Sequence, residues 1–217
     1  MPSTAIFILC LLIKASEMVP TCEVHRLLGE VTSGYFTIDP DDAGPLDPFP
    51  AWCDFSTDPA TTVMHHNREN RTLLPKTRYE SHKTNFRVDY VNASTSQLRS
   101  VVESSSYCSY TFKYECYSVV MHFLRMDGYN VQLAPGWWNN YAEGICQGTD
   151  KPCACDLNDP IWRQEEGIIN AKDVFPISNF RIGDTNGLEE YSYLTLGPMI
   201  CKGRNLGLLL LYIGHQG

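Results

Sequence analysis

Long apolar runs and repeated segments are lacking in this sequence. The apolar run at residues 5–13 has nine residues, whereas a helix needs about 20 to span a bilayer. The run at residues 206–213 is also too short, and we find no internal repeat or low-complexity linker. We therefore expect no membrane span and one compact domain, which suits 217 residues that are 43% hydrophobic.

Catalytic signatures are lacking as well. The chain has no G-x-S-x-G, H-E-x-x-H, G-x-x-x-x-G-K or G-x-G-x-x-G motif, so the common signatures of acyl transfer, zinc hydrolysis and nucleotide chemistry are absent. The adjacent pairs Glu165-Glu166 and Glu189-Glu190 are typical of solvated loops. We predict that the protein is not an enzyme. A hydrolase stays the least favoured hypothesis, because glycosidase carboxylates leave no short motif.

Basic residues are in the minority, with 17 Lys and Arg against 25 Asp and Glu, and the formal net charge is −8 at pH 7. A surface of this sign repels phosphate backbones and anionic lipid. Nucleic acid is therefore not an expected partner. Cations and basic protein surfaces are the partners that this charge favours.

The residues that are present indicate secretion. Residues 1–16 predict a signal peptide cut near Ala15 or Ser16, with a buried N-terminal strand as the alternative. Its removal takes Cys10 away and leaves eight of the nine cysteines. An even, dispersed set indicates an oxidising extracellular compartment and up to four disulfides. These cysteines are Cys22, Cys53, Cys108, Cys116, Cys146, Cys153, Cys155 and Cys201.

Two sequons also suit a secreted protein. Asn70 begins Asn-Arg-Thr and Asn92 begins Asn-Ala-Ser. Each triplet predicts an N-glycan on a surface loop.

Local patterns predict strands and one helix. Ser94 lies three residues before Gln97, which is the capping-box spacing that begins a helix. Residues 206–213 favour a terminal strand, and a truncated chain end is the alternative. Short apolar stretches between turn residues predict strands at residues 31–38, 49–55, 61–65, 175–182 and 191–196.

The strongest strand signal is residues 108–116, where Tyr110, Phe112 and Tyr114 alternate with polar residues. A straight strand of this length separates Cys108 from Cys116 by roughly 26 Å, whereas a disulfide needs Cα atoms about 4.4–6.8 Å apart. The two cysteines are expected to pair elsewhere unless a turn intervenes. The Gly, Pro, Asn and Cys content of residues 134–162 predicts a long loop held by disulfides.

An acidic segment is the most informative local feature. Asp39, Asp41, Asp42 and Asp47 fall within nine positions of a turn-forming stretch that also contains Gly44. Calcium takes six to eight oxygens from carboxylates and backbone carbonyls, and such a loop can supply both kinds. An ordinary solvated turn is the alternative, because Asp is common in Asx turns.

Two other features have simple structural interpretations. Cys146, Cys153 and Cys155 have the spacing C-x6-C-x-C with no nearby partner that completes a zinc site, so disulfides are favoured over zinc. Trp137 and Trp138 are interpreted as core anchors, with an exposed contact site as the alternative.

Several motifs occur in the order found in a known family. They include residues 33–41 (SGYFTIDPD), 52–54 (WCD), 62–67 (TVMHHN), 114–116 (YEC), 153–156 (CACD), 183–185 (GDT) and 196–198 (LGP). Together they resemble fibrinogen-related domains, above all the fibrinogen-like region of contactin-associated proteins and neurexin IV. The resemblance covers residues 22–203.

This resemblance implies an α+β, disulfide-rich fibrinogen C-terminal-like fold over residues 22–203, followed by a short tail at residues 204–217. It implies a disulfide between Cys22 and Cys53, and adhesion or matrix binding. The family's C-x-C-Gly ahead of the Cys146 region is missing, which leaves the pairing of that region open. The laminin-G, EGF-like and transmembrane parts are also missing, so we expect a free-standing module.

The acidic segment separately resembles the calcium loop of fibrillar-collagen C-propeptides. The likeness implies side-chain ligands from Asp39, Asp41 and Asp47, and backbone carbonyl ligands from Asp42 and Gly44. We therefore predict a secreted adhesion or recognition module, with calcium as a hypothetical cofactor, that binds an extracellular protein or glycan through its loops. A structural protein of matrix or biomineral is the alternative.

Overall fold

A computed structural model describes residues 19–42, 44–77, 85–133, 136–146 and 152–204. The predicted signal peptide and the tail beyond residue 204 lie outside these ranges. Within them, no helix has the length and apolar character that crossing a membrane requires. The chain there is mostly β-sheet with few helices and four disulfides.

Thirteen strands of this part of the chain form two antiparallel sheets. In chain order they are β1 (Gly34–Ile38), β2 (Phe49–Asp54), β3 (Thr61–Met64), β4 (Thr72–Leu73), β5 (Asn85–Arg87), β6 (Tyr107–Tyr117), β7 (Arg125–Gly128), β8 (Val131–Leu133), β9 (Ala142–Glu143), β10 (Arg163–Ile169), β11 (Asn179–Arg181), β12 (Tyr191–Leu196) and β13 (Met199–Lys202). The large sheet has the order β1-β2-β3-β13-β6-β10-β9, with β12 on β6 and β4 on β12. The small sheet has the order β5-β11-β7-β8.

Strand β6 is the centre of the large sheet because its eleven residues pair with β13, β12 and β10. Tyr110, Phe112 and Tyr114 are buried on one side, while Thr111 and Lys113 between them are not. This is the period of two that a half-buried strand shows. The prediction of a strand over residues 108–116 is confirmed.

The helices are short: α1 (Cys22–Leu27), α2 (Thr95–Ser104) and α3 (Trp138–Tyr141). The predicted capping box is present, because the Ser94 hydroxyl accepts from the Gln97 amide at 3.2 Å and Gln97 accepts from the Ser94 amide at 2.8 Å. Buried Leu98, Val101 and Val102 then face the core from α2. Helix α1 was not predicted from the sequence, and no side chain caps its first turn.

All eight predicted cysteines form disulfides. Cys22 pairs with Cys53, as the resemblance implies. Strand β6 is continuous from Tyr107 to Tyr117, and Cys108 and Cys116 pair with other cysteines, as expected if no turn intervenes. The remaining pairs are Cys108–Cys201, Cys116–Cys155 and Cys146–Cys153.

Two local predictions need correction. Residues 175–182 were expected to form a strand, but only Asn179–Arg181 does. Phe175 and Ile177 are buried in an irregular segment instead, so their apolar character reflects the core and not a sheet. The expected long loop at residues 134–162 contains α3 and β9, and β9 forms two pairs with β10.

Candidate functional site

The acidic loop, residues 39–47, joins the end of β1 to the start of β2. Its first residue is fixed by a hydrogen bond from the Asp39 amide to the Val19 carbonyl at 2.9 Å. Two turns follow, with the Asp42 amide donating to the Asp39 carbonyl at 3.2 Å and the Gly44 amide donating to the Asp41 carbonyl at 3.0 Å. Asp42 has a left-handed φ of 58°, a conformation that Asp tolerates in turns.

The Asp39 side chain is buried although it carries a carboxylate. The residue is only 8% exposed, and its Oδ1 atom has no hydrogen-bond partner. The Oδ1 atom of Asp41 is also buried without a partner. Burial, a hydrogen bond with Asp41 and the charges of Asp41 and Asp42 all raise the pKa of Asp39. A buried carboxylate beside other carboxylates needs a proton or a cation to offset its charge.

Gly44 lets the loop close on the Asp41 carboxylate. A Cβ atom at this position would overlap the Asp41 carboxylate. That carboxylate is held in place, because its Oδ2 atom accepts a hydrogen bond from the Leu46 amide at 3.0 Å. A larger residue at Gly44 would therefore have to break this contact.

The far end of the acidic loop is tied to helix α2. The Gln97 side chain donates to the Asp47 carbonyl at 2.7 Å, while the Asp47 residue itself is exposed. Of the predicted calcium ligands, Asp39 is hydrogen-bonded to Asp41, and the charge of Asp42 acts on it from nearby. No three of the described carboxylates of the acidic loop bring ligand oxygens within 4.8 Å of one another. Asp47 contributes an exposed side chain at the end of the loop.

A second group of possible ligands lies around the disulfide Cys146–Cys153. Among the residues that the structure describes, only the sulfurs of this pair and a Glu165 oxygen form a set of three ligand atoms within 4.8 Å. The sulfurs are bonded to each other, which removes the thiolates that a metal needs. Glu165 instead accepts hydrogen bonds from the amides of Cys146 and Ala154. This group stabilises a loop.

An uncovered surface on the large sheet was not predicted from the sequence. We call it the outer face and define it by Lys113, Glu115, Tyr117, Trp162, Gln164 and Tyr193. Glu115 of β6 lies directly opposite Gln164 of β10 and Tyr193 of β12. Trp162 is 51% exposed and packs against the rings of Tyr117 and Tyr193, with centroids 5.4 and 5.8 Å away.

The polar side chains of the outer face are held by charge and ring contacts. Arg71 places its Cζ atom 3.3 Å from the centroid of the Tyr193 ring, and its Nε atom donates to Glu115 at 2.7 Å. This contact with Glu115 raises the pKa of Arg71. Arg163 forms a two-point ion pair with Asp159, at 2.8 and 2.5 Å. The outer face therefore presents fixed donors and acceptors around one exposed indole.

Two clefts open on this face. One has a volume of about 390 Å³ and is lined by Arg71, Glu115, Trp162, Arg163 and Gln164. The other has a volume of about 340 Å³, and Thr111, Lys113, Glu166 and Thr195 contribute to its lining. The alternation along β6 was visible in the sequence, but the pairing that brings Arg71 and Trp162 beside it was not.

The exposure of the remaining predicted site residues separates the two tryptophans from the two sequon asparagines. Trp137 and Trp138 are buried, and Trp137 packs edge-on against Phe112 with centroids 5.6 Å apart, so their interpretation as core anchors is confirmed. Asn70 and Asn92 are both exposed. Their glycosylation stays a prediction.

Comparison with known proteins identifies related sequences. Over 200 aligned residues, the chain is 31% identical to human contactin-associated protein 1. It is related to one part of that protein. The rat and mouse forms of contactin-associated protein 1 are 30% and 29% identical over alignments of the same length. Each alignment covers 84% of this chain but only 14% of contactin-associated protein 1. No family model matches the chain.

Proposed function

We propose that this protein is an extracellular recognition module that binds calcium through the acidic loop and does not act as an enzyme. The observation that carries the metal part is the Asp39 carboxylate, which is buried, touches Asp41 and leaves one oxygen without a partner. The burial of the carboxylate and its oxygen without a partner distinguish the loop from a solvated acidic turn.

Calcium suits the donors of this loop. It prefers carboxylate and carbonyl oxygens, accepts irregular geometry and takes waters to complete six to eight ligands. Asp39 and Asp41 would hold the ion with their carboxylates, and Asp42 and Gly44 would add backbone carbonyls. The exposed Asp47 side chain would be the third carboxylate ligand. The bound cation would then offset the charge repulsion between Asp39 and Asp41.

Recognition as the role rests on the relation to contactin-associated protein 1, which fits an extracellular recognition module. The four disulfides suit the same compartment. The name of that relative states an association with contactin, which makes contactin the first protein partner to test. We further propose that the fold is the α+β fibrinogen C-terminal-like fold that the sequence motifs resemble.

The experiment measures binding of the secreted protein to immobilised contactin ectodomain in millimolar calcium and again in chelator. We expect binding that depends on calcium and is weakened by Asp39→Asn. Asp173→Asn removes an exposed carboxylate outside the acidic loop and serves as the matched control. Binding of equal strength in calcium and in chelator would contradict a role for the metal in recognition. Absence of binding in both would exclude contactin as the partner.

The matrix or biomineral alternative is supported by the net charge of −8. It predicts adsorption to a calcium mineral surface that fades as salt rises, because such adsorption depends on screened charges. A saturable interaction with one partner at physiological salt would favour the recognition module over this alternative.

A further inference from the structure

We propose that the cleft beside Trp162 on the outer face binds a neutral saccharide. The inference rests on the proposed recognition function, because it names a ligand class and a site for it. It uses none of the acidic loop. The cleft, of about 390 Å³, falls within the range of roughly 300–1,000 Å³ that small-ligand clefts occupy.

The exposed indole supplies the apolar part of such a site. Sugar rings carry C–H groups on their faces, and these pack on the electron-rich face of an aromatic ring. Trp162 is half exposed, so part of its ring is accessible to a ligand. Tyr117 and Tyr193 pack against it from within the sheet, which holds the indole in place before a ligand arrives. A ring fixed in this way loses little side-chain freedom on binding.

The other lining groups match the hydroxyls of a sugar. Glu115 supplies acceptors, the guanidinium groups of Arg71 and Arg163 supply donors, and the Gln164 amide supplies both. Such groups bond to two neighbouring hydroxyls at once because each presents more than one polar atom in a plane. Glu115 and Gln164 are cross-strand neighbours, so the backbone ladder fixes their separation.

The charges around the cleft favour a neutral ligand over an anionic one. Arg71 is paired with Glu115 and Arg163 with Asp159, so both guanidinium charges already have carboxylate partners. An anionic sugar would have to compete with these carboxylates. It would also approach a protein whose net charge is −8.

The second cleft extends the site along the sheet. Lys113 lines this cleft and Glu115 lines the first one. The two residues are two positions apart on β6 and point to the same side, so their Cα atoms are about 7 Å apart. Thr111 and Thr195 add hydroxyl groups to the second cleft. This arrangement fits an oligosaccharide that lies along β6 and contacts both clefts.

The test is binding of the secreted, labelled protein to an array of neutral and anionic oligosaccharides. We expect binding to neutral members, and a loss of about tenfold with Trp162→Ala, since removing one aromatic contact is worth about 1.4 kcal/mol. Trp162→Phe should restore part of the affinity because it keeps a ring. Tyr35→Ala removes an exposed aromatic on β1 and should leave binding unchanged.

A separate experiment controls for a glycan on the protein itself. Asn70 directly precedes Arg71 of the cleft, so a glycan on Asn70 would start beside the site. The array is therefore repeated with Asn70→Gln. Binding that appears or strengthens in this variant, and is lost again when Trp162→Ala is added, supports a saccharide site that the chain's own glycan had filled.

Three outcomes would overturn the inference. The first is that neither the wild-type protein nor Asn70→Gln binds the array. The second is that a folded Trp162→Ala variant binds as well as wild type, and the third is that binding is restricted to anionic sugars. Capture of a protein partner that Trp162→Ala weakens, without array binding, would assign the outer face to a protein instead. A calcium response that survives any of these results leaves the proposed metal site standing, so the two proposals fail separately.

Discussion

Cys108 and Cys201 are direct cross-strand partners, and the disulfide between them joins β6 to β13 with Cα atoms 4.1 Å apart. Strand β13 also pairs with β3. Through β13, the disulfide fastens the part of the sheet made by β1, β2 and β3 to the central strand. It links positions 93 residues apart in the chain.

This separation predicts an order of importance among the disulfides. The pair Cys22–Cys53 spans 31 residues, and the loop-entropy contribution rises with the logarithm of loop length. Replacing Cys108 and Cys201 with alanine should lower the free energy of unfolding by about 1 kcal/mol more than replacing Cys22 and Cys53. All four cysteines are buried, so the cavities left behind are comparable. Denaturant unfolding of the two double variants measures the difference, and the reverse order would contradict the prediction.

A second prediction concerns Ser94, which serves two purposes. Its hydroxyl caps α2, and it is also the third residue of the sequon at Asn92. Ser94→Ala should lower the free energy of unfolding by about 1 kcal/mol through loss of the cap. Ser94→Asp removes the sequon but keeps a side chain that can cap α2, so it should leave stability closer to wild type. Equal losses for the two variants in thermal unfolding would mean that the glycan, and not the cap, stabilises this region.

The third prediction is a pH dependence that arises from His66. Its Nδ1 atom accepts from the Arg68 amide at 3.1 Å, and its Nε2 atom lies 2.9 Å from the Gly197 carbonyl, to which it donates. The ring is therefore neutral, and a proton on Nδ1 would face an N–H donor. Burial lowers the pKa of His66 below its ordinary 6.5. The hydrogen bond to the Gly197 carbonyl and the charge of Glu69 act in the opposite direction and raise this pKa, whereas the charges of His65 and Arg68 add to the lowering.

The sign follows from proton linkage. Below pH 6.5 the unfolded chain takes up a proton at His66 that the folded chain does not, so stability falls as the pH falls, by at most about 1.4 kcal/mol per pH unit. Thermal melts of wild type and His66→Gln between pH 7.5 and 5 test this, and the variant should show the smaller slope. His122→Gln changes an exposed histidine and is the control. Equal slopes for wild type and His66→Gln would refute the linkage.

The elements that were predictable from sequence are those in which local signals agree with the tertiary structure. Strand β6 alternates cleanly because one face packs on the core, and α2 has both halves of its capping box. Ser94 and Gln97 lie three residues apart, so their contact can be predicted from the local sequence. The Cys22–Cys53 pairing came from family resemblance and not from spacing.

Other features depend on long-range contacts that no local pattern encodes. The outer face and its Trp162 cleft bring together Arg71, Glu115, Trp162 and Tyr193, which belong to four separate segments. Around Phe175 and Ile177 a strand was predicted where none forms. A short buried apolar run in an irregular segment has the same composition as a strand, so the sequence alone does not distinguish the two. The acidic loop is intermediate: its carboxylates were visible in the sequence, but the burial of Asp39 was not.

The most direct test of the proposed metal site is a thermal melt of the secreted protein in millimolar calcium and in chelator, with Asp39→Asn and Asp173→Asn alongside. Binding to the folded state alone raises stability by about 2.7 kcal/mol at a hundredfold excess over Kd. We predict that calcium raises the Tm of wild type and of Asp173→Asn, and that it does not raise the Tm of Asp39→Asn. In chelator, Asp39→Asn should be at least as stable as wild type, because it relieves the charge contact with Asp41. An unchanged wild-type Tm in calcium would contradict the proposal and leave the acidic loop as a turn stabilised by a proton.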